Sequence, residues 1–460
     1  MDELAAGQSL AISGATLIDG LGGAPLPGAI VVIEEGRFSR VGPAAATPVP
    51  DGAETIDGRG KFLIPGLVDM HVHTQPPERE HLPLFLAAGV TTVLDLGGQF
   101  EHLVPHRAAL ERGEKLGPRL LFTGPMLEEG KAFAGFASMS REIDATQIET
   151  EIDRLADAGA DAVKLYITIR PETARRAAAR AHARGLRVFM HQQATWGADA
   201  ADAGVDCLEH LMAFGELALA VERPENPGAM TPFEYGGWLW RVLTEVDPHS
   251  AAVQRMYERL LAADTALDPT LVLFAARPAA IGDDAGDTSM DNPERTPLLP
   301  LLPVPVAAEL QSRWAERRQA AAGASENAKA RSRRCWENIL QLVGGFHAAG
   351  GRVLAGTDCP NVAIVSGFSL HRELELLVRA GLSPLAALQA STRRAAERLG
   401  RQDVFGAIKS GLSADALLLD ADPLADIRNT RSIATVVARG RVLQPNEVLA
   451  GLRAAVERPS

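Results

Sequence analysis

Ile64-Pro65-Gly66-Leu67-Val68-Asp69-Met70-His71-Val72-His73-Thr74 reads as a short strand entered through Pro and Gly and closed by two histidines. Side chains alternate between the faces of a strand, so His71 and His73, two positions apart, share one face. Two neutral imidazoles at a strand's C-terminal end form half of a metal site. The same spacing also suits two histidines that merely alternate on a surface or in a core. The residues beyond Thr74 decide between these readings.

Strand and helix alternate beyond this stretch. Apolar, β-branched runs at 90–97, 119–126, 161–168, 187–192, 206–212, 267–273 and 352–358 join 66–74 to make eight strand candidates. Helical stretches such as 147–158 and 171–184 lie between several of them, each ending near a Gly. Eight strands alternating with helices predict an α/β fold, a parallel (β/α)8 TIM barrel. Residues 8–64 and 415–445 differ: short β-branched runs are cut by Gly, Asp and Pro, with no helical period between them. The expected domains are a small β-sandwich from 1–64 and 405–460, and a barrel over 65–404. Insertions are expected at about 213–265 and 275–345, after strands six and seven. Long loops on a barrel serve as lids or substrate walls, or as surface excursions.

Composition narrows the class. With 460 residues, 46% hydrophobic and 23% charged, the chain has the make-up of a globular protein too long for one ordinary domain. Forty-six basic residues against 58 acidic ones, net -12, argue against nucleic acid as a partner. Three cysteines, Cys207, Cys335 and Cys359, suit a reducing compartment better than a disulfide framework. The first residues lack a basic, then apolar, signal pattern, and no window is long and apolar enough to span a membrane. The expected location is cytoplasmic, with a small-molecule substrate, no membrane partner and an open oligomeric state that includes a homo-oligomer.

Active sites of such barrels lie at the C-terminal ends of the strands. There the chain carries His71 and His73 on strand one, Lys164 on strand four, His191 on strand five, His210 on strand six and Asp358 on strand eight. A lysine within an apolar strand is costly to bury unless it is paired or modified. Tyr166, two positions past Lys164, faces the same side and is a candidate to bind substrate or a developing oxyanion. Thr270 is a candidate pocket residue. Glu209, next to His210, is expected on the opposite face, outside the pocket. Cys207 and Cys359 are read as packing residues, as is His371, while His81 is ambiguous.

The motifs PGLVDMHVH (65–73), GADAVKLY (159–166), AHARGLRVFMH (181–191), AGVDCLEH (203–210), LDPTL (267–271) and LAGTD (354–358) resemble the amidohydrolase superfamily, in the branch of imidazolonepropionase-like hydrolases and Xaa-Pro dipeptidases. The resemblance runs over nearly the whole chain in family order. It implies two divalent metal ions, zinc by preference. His71, His73 and Asp358 would hold one and His191 and His210 the other, with Lys164 bridging them as a carbamate formed with CO2. An ammonium has no lone pair to offer; carboxylation supplies two oxygens. The implied chemistry is amide hydrolysis of a dipeptide-like, N-acyl amino acid or cyclic amide substrate. Hydroxide held between the metals attacks the carbonyl, and Asp358 shuttles the proton to the leaving nitrogen.

Two departures bear on specificity. Strand three ends in Thr123-Gly124-Pro125-Met126-Leu127, without the Gly-Gly-His run of many peptide-cleaving relatives. One-metal deaminases and imidazolonepropionases carry a glutamate shortly after the strand-five histidine; here His191 is followed by Gln192-Gln193-Ala194, and Lys164 is present. A lactonase or phosphotriesterase activity is the alternative within the binuclear class. A non-enzymatic scaffold would be expected to have lost ligands, and all six positions are filled.

Overall fold

The computed structural model describes residues 9–74, 82–218, 221–275, 298–302, 304–361 and 364–456. Its strands, in chain order, are β1 Leu10–Leu17, β2 Leu26–Glu34, β3 Arg37–Pro43, β4 Glu54–Asp57, β5 Phe62–Pro65, β6 Leu67–Val72, β7 Val90–Asp95, β8 Arg119–Phe122 and β9 Met126–Glu129. They continue as β10 Ser140–Ile143, β11 Ala162–Leu165, β12 Arg187–Met190, β13 Cys207–Glu209, β14 Ala266–Asp268, β15 Ala416–Leu419, β16 Ile433–Ala438 and β17 Arg441–Leu443.

The β-rich ends form one hydrogen-bonded sheet of eight strands, ordered β17-β16-β15-β5-β1-β2-β3, with β4 on the side of β1. The seam between N-terminal and C-terminal parts is the antiparallel pair β5–β15, from Phe62 opposite Leu419 to Pro65 opposite Ala416. The expected sandwich is thus drawn from both ends of the sequence, but its hydrogen bonds run through a single sheet. Leu10, Ile12, Val31, Ile33, Phe38, Leu63, Leu418 and Val437 share its core. Burying these β-branched and aliphatic side chains removes apolar surface from water at about 25 cal/mol per Å2.

Pro65-Gly66 carries the chain from this sheet into β6. From there pairing is parallel: β6-β7-β8 form one sheet and β10-β9-β11-β12-β13-β14 another. Every residue of β6 and β7 is buried, as expected of parallel strands covered on both faces. The expected strand three is split at Gly124-Pro125 into β8 and β9. Asp161 N–H donates to Phe122 O and Tyr166 N–H to Leu127 O, so both halves bond the segment that contains β11. Helices Ile148–Asp157 and Pro171–Ala183 stand where the sequence places them, and both are followed by a glycine of positive φ, Gly159 and Gly185.

Three expected strands are shorter than their apolar runs. The segment 352–358 forms only single bridges, Val353 with Leu267 and Cys359 with Val72. Backbone bonds still flank it, from Leu354 N–H to Leu267 O, Met70 N–H to Ala355 O and Asp358 N–H to His71 O. One side chain adds to them: the buried Asp69 carboxylate accepts from Thr357 N–H at 3.0 Å, Thr357 Oγ1 at 2.7 Å and His71 N–H at 3.2 Å. The run 267–273 leaves the strand at Asp268 and turns into the helix Leu271–Ala275. Its first free N–H groups, Leu271 and Val272, donate to the buried Glu373 carboxylate at 2.9 and 2.7 Å. The run 206–212 ends as a strand at Glu209, because His210 adopts a left-handed φ of 59°.

The insertion after β13 holds the helices Pro232–Glu245 and Ala251–Ala262. Thr231 caps the first in a reciprocal capping box with Glu234. The later insertion holds two helices, Val304–Ala322 and Glu326–Ala348, the second capped by Ser325. The Pro- and Asp-rich part of the later insertion, 276–297, and His81 lie outside the described residues. No helix among the described residues is long and apolar enough to cross a membrane.

Candidate metal centre

His71, His73, Lys164, His191, His210 and Asp358 are all buried or nearly so, and their side chains converge. Asp358 Oδ1 stands 3.4 Å from His71 Nε2 and 3.2 Å from His73 Nε2. Three donor atoms that close, from two imidazoles and a carboxylate, suit one divalent cation. The His71 ring lies 4.8 Å from that of His210, which lies 4.9 Å from that of His191. The His191 ring packs at 4.9 Å on Tyr166, and Tyr166 is itself buried.

The backbone is bent to make this convergence. Six non-glycine residues among those described have a left-handed φ, and three belong here: His210, Thr270 (44°) and Asp358 (60°). For a β-branched residue such as Thr270 that conformation is costly, and such costs cluster at functional sites. Thr270 does not face open space; its Oγ1 is 2.7 Å from His210 Nδ1. It therefore orients the imidazole and leaves Nε2 to point inward. Gly356 is required by close approach: a Cβ there would meet Asp268 Oδ2 at 2.2 Å and His71 Cβ at 2.7 Å.

Glu209 corrects the alternation expected for strand six. Its carboxylate is fully buried, contacts His71 Nδ1 and lies 3.7 Å from Lys164 Nζ. Strand alternation puts Cys207 and Glu209 on the inner face; it is His210, turned by its positive φ, that departs from the alternation. Asp268, at the end of β14, is a site residue that the sequence reading does not include. It is fully buried, and its carboxylate groups with those of Glu209 and the His71 ring within 4.8 Å. Its signal in the sequence is an acidic residue at another strand end, in LDPTL.

Burial sets the charge states. It holds the pKa of His71 and His191 well below the usual imidazole value and takes His210 down to about 3, so these rings are neutral. At His73 burial acts the same way, but the Asp358 carboxylate, with Asp95 beyond it, outweighs burial and raises the pKa. Burial alone would raise the Asp358 pKa; the surrounding His71, His73 and His210 rings instead bring it far below the carboxylate range. Lys164 is lowered by burial, against the pull of Glu209 and Asp358. Its Nζ has no hydrogen-bond partner, and neither has His191 Nε2. Buried polar atoms are seldom left so, and these two fit a ligand role.

The remaining positions behave as structural residues. His371 joins Thr430 Oγ1 and Ala88 O at 2.9 and 3.0 Å, and His182 pairs with Asp206 at 2.7 Å. The three cysteines are buried, and none is paired in a disulfide. Gln193, in the run after His191, donates its amide to Pro227 O and Met230 O at 2.8 and 2.7 Å.

Residues 314–443 match the model of the amidohydrolase family. Imidazolonepropionase from Myxococcus xanthus is 48% identical over 52 residues, 11% of this chain and 12% of the relative. The chain thus spans only about an eighth of the length of the curated relatives it matches first. Likeness of fold is wider. A bottromycin amidohydrolase superposes with a TM-score of 0.74 at 22% identity, covering 98% of this chain and 91% of that one. A Xaa-Pro dipeptidase with bound methionine in its active site gives 0.65 at 18% identity, covering 95% and 100%.

Proposed function

We propose, from an amidohydrolase family domain set in a fold shared with a solved Xaa-Pro dipeptidase, that this chain is a binuclear metal-dependent hydrolase of carbon–nitrogen bonds. The observation that carries this reading is the convergence of His71 Nε2, His73 Nε2 and Asp358 Oδ1 beside two unpartnered buried nitrogens, Lys164 Nζ and His191 Nε2. In this reading residues 65–404 form a (β/α)8 barrel and 1–64 with 405–460 the accessory β domain. The links from β14 through Val353 and Cys359 to β6 support ring closure. Three buried cysteines without a disulfide suit a cytoplasmic setting.

His71, His73 and Asp358 would hold one divalent ion and His191 and His210 the second, with Lys164 carboxylated by CO2 between them. Burial disfavours the Lys164 ammonium and so supplies the neutral amine that carboxylation requires. Bound divalent ions would polarise the substrate carbonyl and acidify a water molecule. Asp358, kept ionised by the imidazoles around it, accepts the proton lost by the attacking water and returns it to the leaving nitrogen. Tyr166, against His191 at the end of β11, is positioned to donate to the developing oxyanion. The Glu209 carboxylate orients His71 through Nδ1, as Thr270 orients His210.

The substrate class is a dipeptide-like, N-acyl amino acid or cyclic amide. The run Gln192-Gln193-Ala194 after His191 holds no acid and Lys164 is present, which supports this over the one-metal deaminase reading, whose proton carrier is a glutamate shortly after that histidine. Metal analysis of protein expressed with added zinc, followed by a panel of N-acyl amino acids, dipeptides, cyclic amides and lactones, tests the reading. About two equivalents of metal with amide turnover is the expected result. Metal-free protein, or lactone turnover alone, would overturn it.

A further inference from the structure

A row of aromatic rings leads away from the metal centre. The Tyr166 ring, in contact with His191, meets Phe136 edge-on at 6.1 Å; Phe136 meets Phe133 at 5.6 Å; Phe133 meets Phe233 at 6.2 Å, again edge-on. Met126, Ile167 and Met139 pack along the row. Phe133 and Phe136 are half-buried, whereas Phe233 keeps 70% of its surface exposed. It is the only aromatic residue among the exposed large hydrophobic side chains described. A lone exposed apolar side chain is ordinary, but here Phe233 continues a row of contacting rings, and contiguous apolar surface of this kind marks ligand-binding grooves.

Both walls are held in place. Phe133 and Phe136 lie between β9 and β10, where Gln99 donates its side-chain amide to Ser138 O at 3.0 Å and Ser140 O at 3.4 Å. Phe233 follows the segment 227–230, which Gln193 ties to the end of β12, two residues past His191. Gly228 packs there against Ala194, where a Cβ would stand 2.8 Å from the Ala194 methyl. Gln193 thus ties the segment that precedes Phe233 to the chain just past the strand-five histidine.

We propose that Tyr166, Phe136, Phe133 and Phe233 form a subsite for a planar aromatic group carried by the amide substrate. This rests on the hydrolase reading above and narrows its substrate class. Offset and edge-to-face contacts with each ring favour an aryl group over an alkyl group of equal size, and Phe233 closes over the ligand's outer edge. Strand three, lacking the histidine run of peptide-cleaving relatives, contributes this apolar wall in its place.

The test compares N-benzoylglycine and N-acetylphenylalanine with N-acetylglycine on the metal-loaded full chain, in turnover and in calorimetric binding. Phe233→Ala is chosen because its side chain is mostly in solvent, so the fold should survive; Phe133→Ala is the second variant, and circular dichroism checks both. The expected result is a fall of roughly 3–10-fold in the aromatic-to-acetyl ratio of kcat/KM, with a matching weakening of binding of the aromatic amides. Unchanged ratios and binding in both variants, with amide turnover intact, would overturn the subsite and leave the hydrolase standing. Failure of the wild-type chain to bind either aromatic amide would also overturn it. Binding that the variants weaken, without turnover of any amide, would support the subsite and sink the hydrolase reading.

Discussion

Lys164 is the residue whose chemistry most separates the proposed mechanism from its alternatives. As an ammonium it would have Glu209 at 3.7 Å, with Asp358 and Asp268 beyond, to balance its charge, but no hydrogen bond. As a carbamate it would become an anionic ligand. Lys164→Ala should abolish turnover, and millimolar acetate or propionate should restore part of it by occupying the vacated space. A variant with wild-type rate would refute the bridging role. Glu209 invites a different experiment. Its carboxylate faces His71 Nδ1, and such partners fix ring orientation and ligand basicity. Glu209→Gln should weaken metal affinity by about 10–100-fold, read by competition with a chelating dye, independently of turnover. Equal affinity in the two proteins would reduce Glu209 to a packing residue. His71, His73 and Lys164 are legible in the sequence because polar residues in apolar strands stand out against their neighbours. Glu209 is not, because strict alternation fails at His210, where a positive φ ends the strand.

At the scale of elements, the same failure recurs where side chains join or replace backbone ladder bonds. Asp69 adds side-chain bonds to Thr357 beside the backbone ones, and Glu373 takes the donors of Leu271 and Val272 where the run 267–273 leaves its strand. The sequence shows the apolar run but not which distant carboxylate will intercept its N–H groups. The second of these contacts makes a pH-dependent brace. Burial raises the Glu373 pKa to about 8, although the two backbone donors act to lower it. Its unfolded value lies near 4.5, so the native state holds the extra proton between about pH 4.5 and 8. Stability from this group is therefore full below about pH 4.5 and declines as pH rises towards 8. Glu373→Gln cannot titrate. Its melting temperature should lie furthest below wild type in mild acid, and the gap should narrow towards pH 9. A gap that widens with pH would contradict this account. Helices such as Pro171–Ala183, with proline at the start and glycine beyond the end, are legible because their signals are local.

On the scale of the molecule, the alternation of strands and helices and the β-rich ends are readable, since both are properties of composition and period. The single continuous sheet is not, because it depends on register between residues hundreds of positions apart. The proposed centre would draw its ligands from β6 and β11 and the segments after β6, β12, β13 and Val353, so occupied metal sites would clamp elements from much of the chain. Ions that bind only the native state would stabilise it by about 2.7 kcal/mol at a free concentration of about 100 times Kd. Removing them with a chelator should lower the melting temperature, and zinc should restore it. Identical melting with and without chelator would argue against ions bound at the strand ends.

The seam between β5 and β15 has a consequence for biosynthesis. Leu63 and Ile64 emerge from the ribosome early, yet their partners Leu418 and Leu417 are made about 350 residues later. At about 5–20 residues per second, the flank of β5 stays unpaired for roughly 20–70 s. Throughout that interval the nascent chain displays an apolar strand edge able to pair with a neighbouring chain on the same polysome. Slower translation should therefore lower soluble yield unless a chaperone shields that edge, and moving residues 405–460 ahead of β1 by circular permutation should relieve the dependence.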